Sequence, residues 1–198
     1  HRVDRRQRQM CIRDRLYPAW SLALALLGYT LTETIIDAAD CGVPQERHRL
    51  FVVGVRGRVG FNVPRPSAPR RAAAEVIDLD AGAWRPWSTY APASRARIEA
   101  AQRVRGPVCL VPYYGSRSSH AGRDLARPIG TLTTRDRYIV VKGDVARVLT
   151  VEEQLALAGF PSDYPLQGTR RERVMQVGNA VCPPVATFIG RALAGRPS

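Results

Sequence analysis

The four cysteines of this chain, Cys11, Cys41, Cys109 and Cys182, include no Cys-x-x-Cys pair and no regular spacing. Neither a zinc site nor a disulfide framework is indicated, so the expectations are no metal and a reducing compartment. Long apolar runs are missing too. The densest, Trp20 to Leu27, is far too short to cross a bilayer, and no signal-peptide cleavage pattern accompanies it. No membrane partner and a cytoplasmic location are therefore expected. Acidic residues are scarce: 17 Asp and Glu stand against 30 Lys and Arg, nearly all arginine, for a formal charge of +13. That balance favours a polyanionic partner and puts nucleic acid first, although arginine-rich codon usage produces the same excess. The hydrophobic content of 45% argues against disorder, and 198 residues allow one ordinary domain or two small ones.

Residues 1–15 are crowded with arginine and show no periodicity, which reads as a disordered or foreign basic arm. Tyr17 to Leu27 has the alanine and leucine density of a buried helix, stopped by Gly28. Thr30 to Ile36 and Arg49 to Val55 read as strands, the second largely buried. Between them Gly42 and Pro44 punctuate a loop. From Gln45 the chain is extended, so Gln45, Arg47 and Arg49 project to one side at period two, either as a donor cluster or as solvated surface arginines. Arg56 to Arg71 shifts to Gly, Pro, Arg and Ser, a linker. Residues 76–108 are weakly patterned, with one basic helix expected over Ser94 to Arg105.

The pattern sharpens after Val108. Tyr113 to Ser116 reads as strand then turn; Thr131 to Thr134 and Tyr138 to Val141 read as strands separated by Arg135-Asp136-Arg137. Small hydroxyls beside arginines at a turn make either an exposed hairpin or an edge that contacts phosphates without reading bases. Thr150 with Glu153 forms a capping box for a short helix that Gly159 and Pro161 end. Near the C-terminus, Gly178-Asn179 reads as a turn ahead of a helix begun by Pro183 and Pro184. Val185, Phe188, Ile189, Ala192 and Leu193 of that helix form one apolar stripe.

Three motifs and one shorter stretch carry a resemblance. The run from Gln176 to Val181 followed by Pro183-Pro184 resembles the final motif of the DNA cytosine-5 methyltransferases. Ala38 to Gly54, A-A-D-x-G-V-P-Q-x-R-x-R-L-F-x-V-G, is similar to the family motif with Gln-x-Arg-x-Arg. Arg147 to Pro161 resembles its R-x-L-T-x-x-E…G-F-P motif, with Ala158 where glutamine often stands. Pro128 to Thr133 resembles the end of its recognition domain. The resemblance spans Leu22 to Ala194. It implies an α/β fold: the C-terminal part of a Rossmann-like, S-adenosylmethionine-dependent methyltransferase domain plus a small, mostly β target-recognition domain. Residues 16–57 would end the catalytic domain, 58–165 would be linker and recognition domain, and 166–198 would return to the cofactor wall. Gln45, Arg47 and Arg49 would support the cytosine pocket, and Gly178, Asn179, Ala180 and Val181 would line a partial S-adenosylmethionine site. Tyr114, Ser116, Thr131, Thr133, Arg135 and Arg137 would meet double-stranded DNA.

Methylation at C5 requires a thiolate adding at C6, an acid near N3 and a methyl donor close by. The family supplies these from Pro-Cys-Gln, Glu-Asn-Val and a glycine-rich turn, none of which occurs here. The resemblance thus implies the C-terminal half of a cytosine-5 methyltransferase, inactive alone, with the N-terminal half of the same enzyme as partner. A non-catalytic DNA-binding module and an inactive remnant are the alternatives.

Overall fold

In a computed structural model of the protein, residues 16–57, 61–112 and 121–195 are described. The basic arm over 1–15, and with it Cys11, lies outside them, as do Tyr114 and Ser116. The described residues divide into two compact units, those within 1–35 and 49–65, and those within 36–48 and 66–198.

The first unit holds helix α1 (Tyr17–Leu26) and most of strands β1 (Tyr29–Asp37) and β2 (His48–Arg56), which pair as a two-stranded sheet. Pro18 suits the first turn of α1, where its missing N–H is not needed. The positions agree with the sequence; the burial does not. No residue of α1 is buried, and Trp20, Leu22 and Leu26 are exposed, Leu26 to 80%. Of β2 only Val53 is buried. A helix apolar on all sides is a core helix by composition, yet the described residues of its own unit do not cover it.

The second unit is built on a four-stranded antiparallel sheet ordered β3-β6-β5-β4. Its strands are β3 (Arg85–Pro86), β4 (Val108–Pro112), β5 (Tyr138–Lys142) and β6 (Val145–Val148). Gly143, at φ 61, supplies the positive φ that the two-residue β5–β6 hairpin needs. Helix α2 (Pro92–Arg105), two residues longer at its start than the sequence pattern indicates, covers one face. There the cross-strand pairs Cys109–Val141 and Val111–Ile139 meet Ile98, Ala101 and Tyr90. Leu110 and Val140 point to the opposite face and are also fully buried. With both faces covered, β4 and β5 read as continuous apolar runs.

Helix α3 (Val151–Leu157) begins at the expected capping box, with the Thr150 hydroxyl accepting from the Glu153 N–H and the Glu153 carboxylate accepting from the Thr150 N–H. Gly159, at φ 80, follows its end. Helix α4 (Arg170–Asn179) starts at a second box, Thr169 with Glu172, a T-x-x-E signal that the reading of the sequence passed over. Helix α5 (Pro183–Leu193) follows, but of its apolar stripe only Val185 is buried.

Two elements differ from expectation. Gly178 and Asn179 are not a turn; they are the last residues of α4, and the chain leaves the helix at Ala180, whose backbone is extended. Residues 131–134 form no strand; at their centre both backbone polar groups of Leu132 are taken by side chains from elsewhere.

Candidate functional site: residues 129–137 and what holds them

Residues 43–47 run beside 129–132. Gln45 and Ile129 form a parallel bridge, Ile129 N–H donates to the Pro44 carbonyl (3.0 Å), and Glu46 N–H donates to the Ile129 carbonyl (2.7 Å). Period-two projection then brings Gln45 and Arg47 onto one target. Gln45, 1% exposed, accepts from the Leu132 N–H at 3.0 Å and donates through Nε2 to the Leu157 carbonyl at 3.3 Å. Arg47, 7% exposed, donates through Nη1 to the Leu132 carbonyl at 2.9 Å. Both polar groups of Leu132 are thereby satisfied by side chains.

The other end of the Arg47 fork reaches the end of α4. Its Nη2 donates to the carbonyls of Gly178 (2.9 Å) and Ala180 (3.3 Å). Late carbonyls of a helix lack intrahelical partners and carry the negative end of the dipole, so a planar cation suits this place. Gly178 permits the approach: a Cβ there would lie 2.4 Å from the Thr133 carbonyl carbon and oxygen. Arg47, the 131–134 segment and the Gly178 region thus meet directly. Asn179 and Val181 are exposed beside this contact, while Gly178 is buried and Ala180 half-buried. Arg49 is exposed and belongs to the other compact unit.

Of the expected DNA-contacting residues, Thr131 donates its hydroxyl to the Glu46 carbonyl (2.9 Å) and Thr133 to the Arg135 carbonyl (3.1 Å), which folds the turn. Arg135 is exposed and Arg137 half-buried. Between them Asp136 takes Nε2 of the buried Gln154 at 2.9 Å and a two-pronged ion pair with Arg170. Arg170 also donates to the Leu149 carbonyl at 2.8 Å, and its hydrogen bond to Asp136 raises its pKa further.

Sequence reasoning missed this node, and it missed a second one. Arg147 (3% exposed) and Glu153 (5%) form a buried two-pronged pair at 2.7 and 2.8 Å, with the carbonyl and N–H of Asp78 bonded to Arg147 and Glu153 respectively. The R-x-L-T-x-x-E spacing was the available signal: the capping glutamate turns back to the arginine six positions before it.

At the start of helix α5 lies a cleft of about 520 Å³, lined by Asp40, Cys41, Pro184, Thr187, Phe188 and Arg191 among others. None of the four expected cofactor residues lines it. Asp37 shapes the turn that carries Asp40 and Cys41 by accepting from the Ala39 and Arg47 N–H groups, and Arg70 bridges Asp37 and Asp40. Burial, followed by the nearby Asp40, pushes the Cys41 thiol up to about 11. Burial does the same to Cys109. Among the described residues no group of His, Cys, Asp and Glu is arranged to hold a metal, and no helix is long and apolar enough to cross a membrane.

A family model described as C-5 cytosine-specific DNA methylase matches residues 13–83 and 81–195. The type II methyltransferase M.NgoBI of Neisseria gonorrhoeae is 27% identical, covering 82% of this chain and 50% of its own. M.HgiDI of Herpetosiphon aurantiacus is 29% identical, covering 91% and 57%. The chain spans about half the length of the curated relatives it matches. Among solved structures, a putative DNA modification methyltransferase encoded within an E. coli prophage matches with a TM-score of 0.58 at 18% identity, over 98% of this chain and 66% of that one. S. pombe Dnmt2 methyltransferase matches at 0.55 and 15%, over 90% and 61%.

Proposed function

The chain belongs to the C-5 cytosine-specific DNA methylases, and from that premise we propose that it is the C-terminal half of an enzyme that transfers a methyl group from S-adenosylmethionine to C5 of cytosine in double-stranded DNA. Residues 58–165 carry target recognition in this reading. Gln45 and Arg47 hold the recognition segment against the end of α4, and Arg49 supports the cytosine pocket. The exposed amide of Asn179 and the apolar Val181 fit one wall of a methyl-donor site. S-adenosylmethionine supplies the electrophilic methyl; the chain's part is to orient it.

The observation that carries the reading is the uncovered, predominantly apolar α1 in a chain spanning half of its relatives' length. We place the N-terminal half of the same enzyme, on the same or a separate chain, against it. That half brings the nucleophilic thiol, the N3 acid and the rest of the donor pocket. The thiols described here are poor nucleophiles, since Cys41 and Cys109 are pushed up to about 11, which keeps them protonated at neutral pH, and Cys182 is buried. The chain alone is therefore expected to transfer no methyl group.

The test is reconstitution. The chain is mixed with an N-terminal half carrying Pro-Cys-Gln, association is verified by sedimentation, and transfer of labelled methyl to duplex DNA is measured. Activity appearing only in the mixture supports the proposal; no transfer after verified association overturns it. The self-contained core of the second unit favours a second reading, a DNA-binding module that needs no partner. Binding without methyl transfer in the mixture would select it.

A further inference from the structure

Arg135-Asp136-Arg137 places an anion between two cations in the very turn assigned to DNA. A carboxylate facing phosphates would oppose binding by charge repulsion. The structure resolves the conflict by direction. Arg135 is exposed, whereas the Asp136 carboxylate turns inward, 27% exposed, onto Gln154 and Arg170. Gln154 is 2% exposed, and its amide nitrogen also lies 3.4 Å from the Leu149 carbonyl, to which Arg170 donates. Both donors are thus anchored to α3's entry and aimed at one carboxylate. Arg170 sits in the first turn of α4, where the helix dipole disfavours a cation. Asp136 offsets that cost.

We propose that Arg170 and Gln154 are positioning residues that sequester the Asp136 carboxylate, so that the 135–137 turn presents a net cationic edge to the DNA backbone. The inference rests on the DNA reading of the proposed function. Arg170 in this role touches no phosphate; it acts only through Asp136. Removing it unmasks an anion at the interface, and removing the anion as well makes Arg170 dispensable.

Binding of the full chain to a mixed-sequence duplex of about 30 base pairs is followed by fluorescence anisotropy at about 50 mM salt, where phosphate contacts dominate. Arg170→Ala weakens binding roughly three- to tenfold, as expected for an uncovered like charge near phosphates. Asp136→Asn, nearly isosteric, binds at least as tightly as the parent. The double variant Arg170→Ala/Asp136→Asn returns to within about twofold of the parent, since the two changes cancel in charge. A double variant as weak as Arg170→Ala would make Arg170 a phosphate contact and overturn the inference. An Asp136→Asn variant as weak as Arg170→Ala would reduce the node to a fold-stabilising pair and overturn it equally; thermal midpoints of all variants separate that outcome from unfolding. If the parent chain shows no salt-dependent binding, the DNA reading itself fails and takes this inference with it.

Discussion

Helix α1 and strands β4 and β5 are comparably apolar, yet α1 buries no residue while all of β4 and β5 except Val108 and Lys142 is buried. The second unit closes its core with its own sheet and helix; the first leaves its helix open. Apolar composition therefore states what a segment needs, and only the rest of the fold states whether the need is met within this chain.

Substitutions probe that contrast from both sides. Glu153→Ala carries the largest expected effect, because it strands the Arg147 guanidinium in the second unit. Loss of one partner of a buried pair costs roughly 3 to 5 kcal/mol, read by urea unfolding. A loss below about 1 kcal/mol would show the pair to be solvated. Gly178→Ala comes next. Its Cβ would meet the Thr133 backbone at 2.4 Å and Thr134 N at 2.5 Å, and overpacking of this kind costs about 1 to 3 kcal/mol by the same measurement. An unchanged midpoint would mean that α4 and the 131–134 segment separate freely. Leu26→Ser is the smallest. At an exposed site the isolated chain should change by no more than about 0.5 kcal/mol, while light scattering falls as an apolar patch is removed. A loss of about 2 kcal/mol or more, the range for truncating a core leucine, would place α1 in a core after all.

Elements whose signals lie within a few residues were legible in the sequence. The Thr150–Glu153 box, Gly159 after α3, the two prolines opening α5, and the strands β1, β2 and β5 all appear where the pattern puts them. The Thr169–Glu172 box was equally readable, and it explains why Gly178-Asn179 is helical: a capped helix with Val174 and Val177 buried runs on through them. Residues 131–134 were not legible. Their alternation suits a strand, but no strand pairs with them. The two-residue β3 was invisible for the opposite reason, being defined only by its pairing with β6.

The candidate site divides in the same way. The spacing of Gln45 and Arg47 fixed which face they share, since extended backbone repeats every two residues. That both would grip Leu132, 87 and 85 positions away, and that Arg47 would also hold the end of α4, depended on which backbone groups the fold left unpaired. Likewise the order of residues alone set the three charges of Arg135-Asp136-Arg137, but packing of α3 and α4 decided which of them faces inward. Caps and periodicities act over one turn of chain and are written locally. The shape of an irregular segment follows from distant side chains completing its hydrogen bonds, and those are assigned only when the elements carrying them have packed.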